Sequence, residues 1–153
     1  MLALFNSINS AVCGALGINT YLQGVIIMVC INTIAVRVGE QAGVGNIYRF
    51  MKNSLGVTSL TPEDNDSGPM ILGSQTHGIS PYELAGAYMM LGNGGSFTTL
   101  HCYTSVQTGY GREIAAPELK TKQVLGTDTA YVMNRLLAQV MQGSGTAAGY
   151  RVR

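Results

Sequence analysis

The stretch Ile79-Ser80-Pro81-Tyr82-Glu83-Leu84-Ala85-Gly86-Ala87-Tyr88, closed by Gly92-Asn93-Gly94-Gly95, marks both ends of one helix. The Ser80 hydroxyl can accept a hydrogen bond from the amide of Glu83, and the Glu83 carboxylate can reach back to the Ser80 amide. Pro81 suits the first helical position. The glycines end the helix because glycine adopts positive φ without a Cβ clash. Apolar residues follow the start signal at helical spacing, at Leu84, Ala87, Tyr88 and Leu91.

Two further segments carry the same helical spacing. The first ends at Gly56 as its C-cap, and its apolar positions are Val44, Ile47, Tyr48, Met51 and Leu55. The second is capped by Thr127 or Asp128 and ends at Gly143, and its apolar positions are Met133, Leu136, Leu137, Val140 and Met141. Both segments are therefore predicted to be helices with one buried face.

A change of period between the last two helices predicts β structure. Apolar and polar residues alternate from Leu100 to Val106, as expected of a strand. The turn residues Thr108-Gly109-Tyr110-Gly111 lead into a short second strand near Ile114. The sequence thus predicts a mainly α fold of three or four helices with a short β-hairpin.

Charge and hydropathy exclude several classes of protein. The chain has 153 residues, the size of one domain, and its net charge of +1 argues against a nucleic-acid binder that works through a basic surface. The first charged side chain is Arg37, so no basic residues stand near Met1 as a secretory signal requires. The apolar run from Gly24 to Val36 is shorter than a membrane span and contains polar residues. It predicts a buried core helix or a segment of a larger protein.

An acidic cluster lies in the Thr-, Pro- and Gly-rich stretch from Thr58 to Met70, which is predicted to be a loop. An EF-hand loop starting at Asp64 would need glycine at the position of Pro69 and glutamate at that of Gln75. The predicted state is therefore a solvated acidic loop rather than a calcium site. Its acidic residues are Glu63, Asp64 and Asp66.

Neither a metal site nor a nucleotide cofactor is expected. His77 and His101 have no metal-ligand spacing to the three cysteines of the chain. The segment from Gly143 to Ala148 fits the pattern of a dinucleotide fingerprint, but that motif needs a strand before it, and here a helix precedes it. From the residues alone, the chain is a mainly helical domain with no self-contained active site.

Read in order, several stretches resemble the transpeptidase domain of penicillin-binding proteins, most closely the bifunctional class A type. The segment from Cys30 to Val36 is similar to the family's Ser-x-Asn motif and the helix behind it. The most specific match is Ile79 to Tyr88 with its closing glycines. The resemblance covers about four fifths of the chain, from Ile31 to Gly149. Its other parts are Gln41 to Val44, the helix to Val57, Ile71 to Ser74, the turn at Gly111, the helix Ala130 to Val140 and the turn Gly143 to Gly145.

The resemblance implies nucleophilic serine catalysis. In the family, a Ser-x-x-Lys motif supplies the nucleophile and its base, because serine is a poor nucleophile until a base takes its proton. The Ser-x-Asn motif supplies a proton-relaying hydroxyl and an amide that binds substrate, and a Lys-Thr-Gly strand binds the substrate carboxylate. The site residues implied for this chain are Cys30, in place of that serine, and Asn32.

The chain departs from the family pattern at its other motifs. None of its three lysines has a serine three residues before it, so Ser-x-x-Lys is absent. Lys120-Thr121-Lys122 lacks the glycine of Lys-Thr-Gly and precedes the last helix, and the true motif is expected shortly after Arg153. The chain alone is therefore expected to be inactive.

The leading hypothesis is an internal fragment of a peptidoglycan D,D-transpeptidase with the α/β fold shared by penicillin-binding proteins and serine β-lactamases. Residues 31–153 would be a partial transpeptidase domain, and residues 1–30 a poorly matched apolar lead. The alternatives are a non-catalytic helical binding or structural module, and a truncated frame with no independent activity. The resemblance implies that the parent protein binds stem peptides and β-lactams. The parent is expected at the outer face of the bacterial cytoplasmic membrane, and only its parts outside this chain are expected to contact the membrane.

Overall fold

The structure is a computed structural model, and it describes residues 32–142 and 145–150. The helices in chain order are α1 (Asn32–Ala42), α2 (Val44–Arg49), α3 (Pro81–Gly92) and α4 (Thr127–Gln139). The strands are β1 (Ser96–Thr98), β2 (Val106–Gln107), β3 (Glu113–Ala115) and β4 (Thr121–Gln123). In this part of the chain, no helix is both long and apolar enough to cross a membrane.

The helix predicted from Val44 to Leu55 is confirmed, but its second half has π-helical geometry. α2 continues without a break into a π-helical turn at Phe50–Ser54, and Gly56 follows with a φ of +66°. Ile47, Met51 and Leu55 are all buried, as their spacing predicts. Gly43 is the single residue between α1 and α2, and its φ of +83° lets the chain turn between the two helices.

The stretch after Gly56 is less irregular than predicted. It contains a 3₁₀ turn at Pro62–Asp64 and a second π-helical turn at Gly68–Leu72. The second turn ends at Gly73 in the left-handed conformation, and it buries Met70 and Ile71 completely. The loop therefore supplies two core side chains.

The capping box predicted at the start of α3 is confirmed. Ser80 adopts extended backbone, its side chain accepts from the Glu83 amide, and the Glu83 carboxylate accepts from the Ser80 amide. The helix ends at Gly92, and the positive φ angles of Gly94 and Gly95 turn the chain into β1. Both ends of α3 therefore lie where the sequence places them.

The β structure consists of two nested antiparallel pairs. β2 pairs with β3 around the turn at Gly111, which confirms the predicted hairpin. β1 pairs with β4, with Phe97 opposite Lys122. The predicted strand from Leu100 is wrong except at its last residue, Val106: the Leu100 side chain instead packs against Gly86 of α3.

The last helix is confirmed, with a correction at its start. α4 is preceded by Gly126 as the N-cap without a side-chain cap, so Thr127 and Asp128 are its first helical residues rather than its cap. Asn134 of α4 donates to the carbonyl of Leu91, which joins α4 to the last turn of α3. The predicted end at Gly143 lies outside the described residues.

One hydrophobic core joins these elements. Its fully buried large side chains are Ile47, Met51, Met70, Ile71, Met90, Leu91 and Met133. Three of the seven come from the two π-helical turns and four from α2, α3 and α4. Methionine accounts for four of them, which suits a core that must fill irregular gaps between short elements.

Candidate functional site

Asn32 is the first residue of α1, and it is exposed. Further along, α1 is anchored in the core through Ala35, Val38, Gly39 and Ala42. Cys30, the other residue implied by the resemblance, lies outside the described residues. The structure therefore places one of the two candidate site residues, at the exposed start of a helix whose later turns pack in the core.

α1 is fixed closely against the second π-helical turn. A Cβ built on Gly39 would lie 2.6 Å from Cγ1 and 3.2 Å from Cγ2 of Ile71, and nearer still to its Cδ1. Distances under 3.0 Å are not tolerated by packed atoms, and Ile71 is completely buried. A side chain at position 39 would therefore force Ile71, the helix or the turn to shift.

Asp64 anchors the segment that leads into that turn. Its Oδ2 accepts hydrogen bonds from the Thr61 amide and hydroxyl at 2.8 and 3.0 Å, and its Oδ1 accepts from the Thr76 amide and hydroxyl, both at 2.8 Å. The predicted solvated acidic loop is therefore wrong for Asp64, which has no exposed surface, although Glu63 and Asp66 are exposed. A buried carboxylate is stable here because neutral donors satisfy both oxygens.

The pKa of Asp64 reflects these contacts. Burial opposes ionisation, but the amides of Thr61 and Thr76 and then their hydroxyls outweigh it and lower the pKa to about 2. Asp64 is thus a charged structural group at neutral pH, and all of the contacts that hold it are hydrogen bonds from within the chain.

Glu83 is a second buried carboxylate of the same kind. Its Oε1 accepts from the Thr58 amide at 2.7 Å and hydroxyl at 2.9 Å, while Oε2 accepts from the amide and hydroxyl of Ser80 at 3.1 and 2.8 Å. Burial again opposes ionisation, and the donors of Thr58 and Ser80 lower the pKa to about 2. The capping role of Glu83 was predicted from the sequence, but its link to Thr58 was not.

A groove of about 300 Å³ opens above Glu83. It is lined by the end of the first π-helical turn, the start of α3 and the chain after β1, through Leu55, Gly56, Thr58, Tyr82, Glu83, Phe97, Thr99 and Leu100. Three of its polar side chains are already paired, since Thr58 bonds to Glu83 and Thr99 bonds to the backbone of Lys120. Asn32 does not line this groove, so the two features are separate.

The sequence is similar to those of known penicillin-binding proteins. No family model matches the sequence. Over 120 residues the chain is 27% identical to penicillin-binding protein 1A of Clostridium botulinum, and over 115 residues it is 29% identical to penicillin-binding protein 4 of Bacillus subtilis. These matches cover 78% and 75% of this chain.

The fold is similar to that of a solved penicillin-binding protein. Penicillin-binding protein A of Mycobacterium tuberculosis, solved as a ceftriaxone acyl-enzyme complex, superposes with a TM-score of 0.73 over 90% of this chain and 41% of its own, at 15% identity. The chain is thus similar in sequence to segments of penicillin-binding proteins and similar in fold to part of penicillin-binding protein A. It spans between 14% and 18% of the length of the two curated relatives.

The three lysines of the chain are all exposed. Lys52 lies 3.0 Å from the hydroxyl of Tyr48, and Lys120 forms an ion pair with Glu118 at 3.1 Å. Lys122 is exposed on β4. In the sequence, none of the three has a serine three positions before it.

Two other sequence patterns concern a metal site and a phosphate site. Among the described residues, no group of three or more His, Cys, Asp or Glu side chains could hold a metal ion. The glycine-rich segment follows a helix, and its amides at Gly145 and Ala147 donate to the carbonyls of Gln142 and Val140. Amides that already donate to the chain are not free to bind a phosphate.

Proposed function

We propose that this chain supplies the helical lobe of a peptidoglycan D,D-transpeptidase domain. The parent protein would cross-link cell-wall stem peptides by acyl transfer through an acyl-serine, and it would bind β-lactams at the same serine. The observation that carries the proposal is the 120-residue match to penicillin-binding protein 1A of Clostridium botulinum, which covers 78% of this chain. Residues 31–153 then form a partial transpeptidase domain, and residues 1–30 an apolar lead.

Within this proposal, Asn32 is the substrate-binding residue of the second motif. Its exposed position at the start of α1 supports the assignment, because a substrate-binding amide must reach open space. Cys30 takes the place of the motif's serine, where its thiol would relay a proton. The nucleophile and its base come from a Ser-x-x-Lys motif that this sequence does not contain, since serine attacks only after a base removes its proton.

The same reasoning places the parent at the outer face of the bacterial cytoplasmic membrane, where peptidoglycan is assembled. This chain alone is inactive in acyl transfer, because no serine–lysine pair is present to form the acyl-enzyme. No cofactor or metal is required for acyl transfer by this route.

The test compares the 153-residue chain with the product of the gene read through its flanking coding sequence. Both are incubated with a fluorescent penicillin, separated on a denaturing gel, and the labelled peptide is identified by mass spectrometry. We expect label on a Ser-x-x-Lys serine of the longer product and none on the 153-residue chain. Flanks that encode neither Ser-x-x-Lys nor Lys-Thr-Gly would instead support a non-catalytic module.

A matched pair of variants in the longer product tests Asn32. Asn32→Ala should lower the acylation rate about tenfold, because a substrate hydrogen bond of roughly 1.4 kcal/mol is lost. Asn53→Ala is the control, since Asn53 is also exposed and lies in the π-helical turn after α2. Equal rates for the two variants would remove Asn32 from the site.

A further inference from the structure

We propose that Gly39 and Ile71 are positioning residues that set the location of Asn32. This inference rests on the proposed function, in which Asn32 binds the substrate. Neither Gly39 nor Ile71 reaches open space, since both are buried. Their effect on the site is therefore transmitted through α1.

The first step is the direct contact. The backbone of Gly39 packs against the side chain of Ile71. A Cβ added at Gly39 would lie 2.6 Å from Cγ1 and nearer still to Cδ1. Ile71 has no exposed surface, so its side chain cannot swing into solvent to make room. Any side chain at position 39 must therefore move the helix or the turn.

The second step is that the turn resists movement more than the helix does. The Pro69 carbonyl accepts from the side chain of Gln75 at 2.8 Å and from the amide of Gly73 at 3.2 Å. The chain on both sides of the turn is tied together by Asp64 and its four hydrogen bonds from Thr61 and Thr76. The turn is thus held at both ends, and α1 is the element that yields.

The third step connects Gly39 to Asn32. The two residues are seven positions apart in one helix, which is two turns or about 10 Å along the axis, on nearly the same face. An α-helix of this length moves as a rigid element, so a shift at Gly39 is carried to its first residue. A displacement of about 1 Å in a positioning element can lower a rate by up to about 100-fold.

The chain offers a matched control in α3. A Cβ built on Gly86 would lie 2.6 Å from Cδ2 of Leu100, so Gly86→Ala also adds one methyl group to a buried helical glycine. The helix that Gly86 belongs to does not carry Asn32. Gly86→Ala therefore reports the general loss of stability alone, and any further effect of Gly39→Ala is an effect on Asn32.

The first experiment uses the ¹⁵N-labelled 153-residue chain and follows the backbone and side-chain amide signals of Asn32 by two-dimensional NMR. Gly39→Ala should move these signals, and Gly86→Ala should leave them in place. The double variant Gly39→Ala with Ile71→Ala should return them towards wild type, because the clashing side chain is gone. Unmoved Asn32 signals in folded Gly39→Ala would overturn the proposal, as would a double variant that is no closer to wild type than the single one.

The second experiment measures penicillin acylation in the longer gene product, normalised to the folded fraction. Gly39→Ala should slow acylation between about 10-fold and 100-fold, with rescue in the double variant and no change in Gly86→Ala. If wild type is not labelled at all, the proposed function fails, while the NMR result still decides whether Gly39 positions Asn32. If Gly39→Ala does not fold, the double variant must fold, and its failure to do so would sink the proposal.

Discussion

Glu83 accepts a hydrogen bond from the backbone amide of Thr58 at 2.7 Å, although the two residues are 25 positions apart. The same carboxylate caps α3 through Ser80. One side chain therefore joins the segment after the first π-helical turn to the start of α3. Glu83 is only 9% exposed. The amides and hydroxyls of Thr58 and Ser80 would therefore lose their acceptor if the carboxylate were removed.

Replacing this carboxylate should destabilise the fold. Glu83→Gln exchanges one charged oxygen for an amide group that cannot accept from the donors it now faces, and we expect a loss of about 2 kcal/mol in the free energy of unfolding. Glu40→Gln, at an exposed position of α1, is the control and should change little. Urea unfolding followed by circular dichroism measures both, since the chain has no tryptophan to report by fluorescence. Equal midpoints would contradict the role assigned to Glu83.

The two buried carboxylates should make stability fall in acid. The pKa of each is lowered to about 2 in the folded protein, against about 4 in an unfolded chain. A lowered folded pKa stabilises the native state above the unfolded pKa, and this contribution is lost as the pH falls from about 4.5 towards 2. Urea midpoints should therefore be flat from pH 7 to 5 and then drop.

Asp64→Asn provides the check on this pH dependence. The variant should be less stable at neutral pH and should show a shallower drop below pH 4.5, because one of the two titrating groups is gone. Asp66→Asn, at an exposed position nearby, should keep the full acid-induced drop. If the Asp64 variant were to lose stability as steeply as wild type, the acid sensitivity would belong to other groups.

Local chemistry explains why some elements could be predicted from the sequence and others not. The start of α3 was predictable because Ser80 and Glu83, which form the capping box, are three positions apart. β1 and β4 were missed because each has three residues and pairs with a partner about 25 positions away. The burial of Asp64 was missed because Thr76, which supplies two of its four hydrogen bonds, lies 12 residues further along.

The candidate site was only partly accessible to the same reasoning. Asn32 was identified through the family resemblance, and the structure places it exposed at the start of α1. No local pattern indicates that Gly39 meets Ile71, because that contact joins segments 32 positions apart through the fold of the intervening loop.

Gly95 should tolerate substitution least among the glycines that turn the chain. Its φ is +89°, and an added Cβ would lie 2.9 Å from the carbonyl carbon of Leu125 and nearer still to its oxygen. Gly95→Ala therefore combines backbone strain of about 1 kcal/mol with a clash against backbone that cannot rotate away. Gly56→Ala is the control, because φ is +66° there and nothing lies within 4 Å. Thermal unfolding should show a clearly lower midpoint for Gly95→Ala, and equal midpoints would contradict the close approach.

The last prediction concerns Cys30, two positions before the exposed Asn32. If Cys30-Ile31-Asn32 is the second catalytic motif, the Cys30 thiol lies at the rim of a groove and is accessible. A variant with Cys13 and Cys102 replaced by serine should then react with a thiol reagent in its native state, at a rate within about tenfold of the denatured chain. Cys102 is exposed, so a variant that retains only Cys102 shows the rate of an accessible thiol in this protein. A free cysteine in a hydrophobic core is inert. Modification of Cys30 only after denaturation would therefore show that it serves the core, and the catalytic interpretation of the motif would no longer hold for this chain.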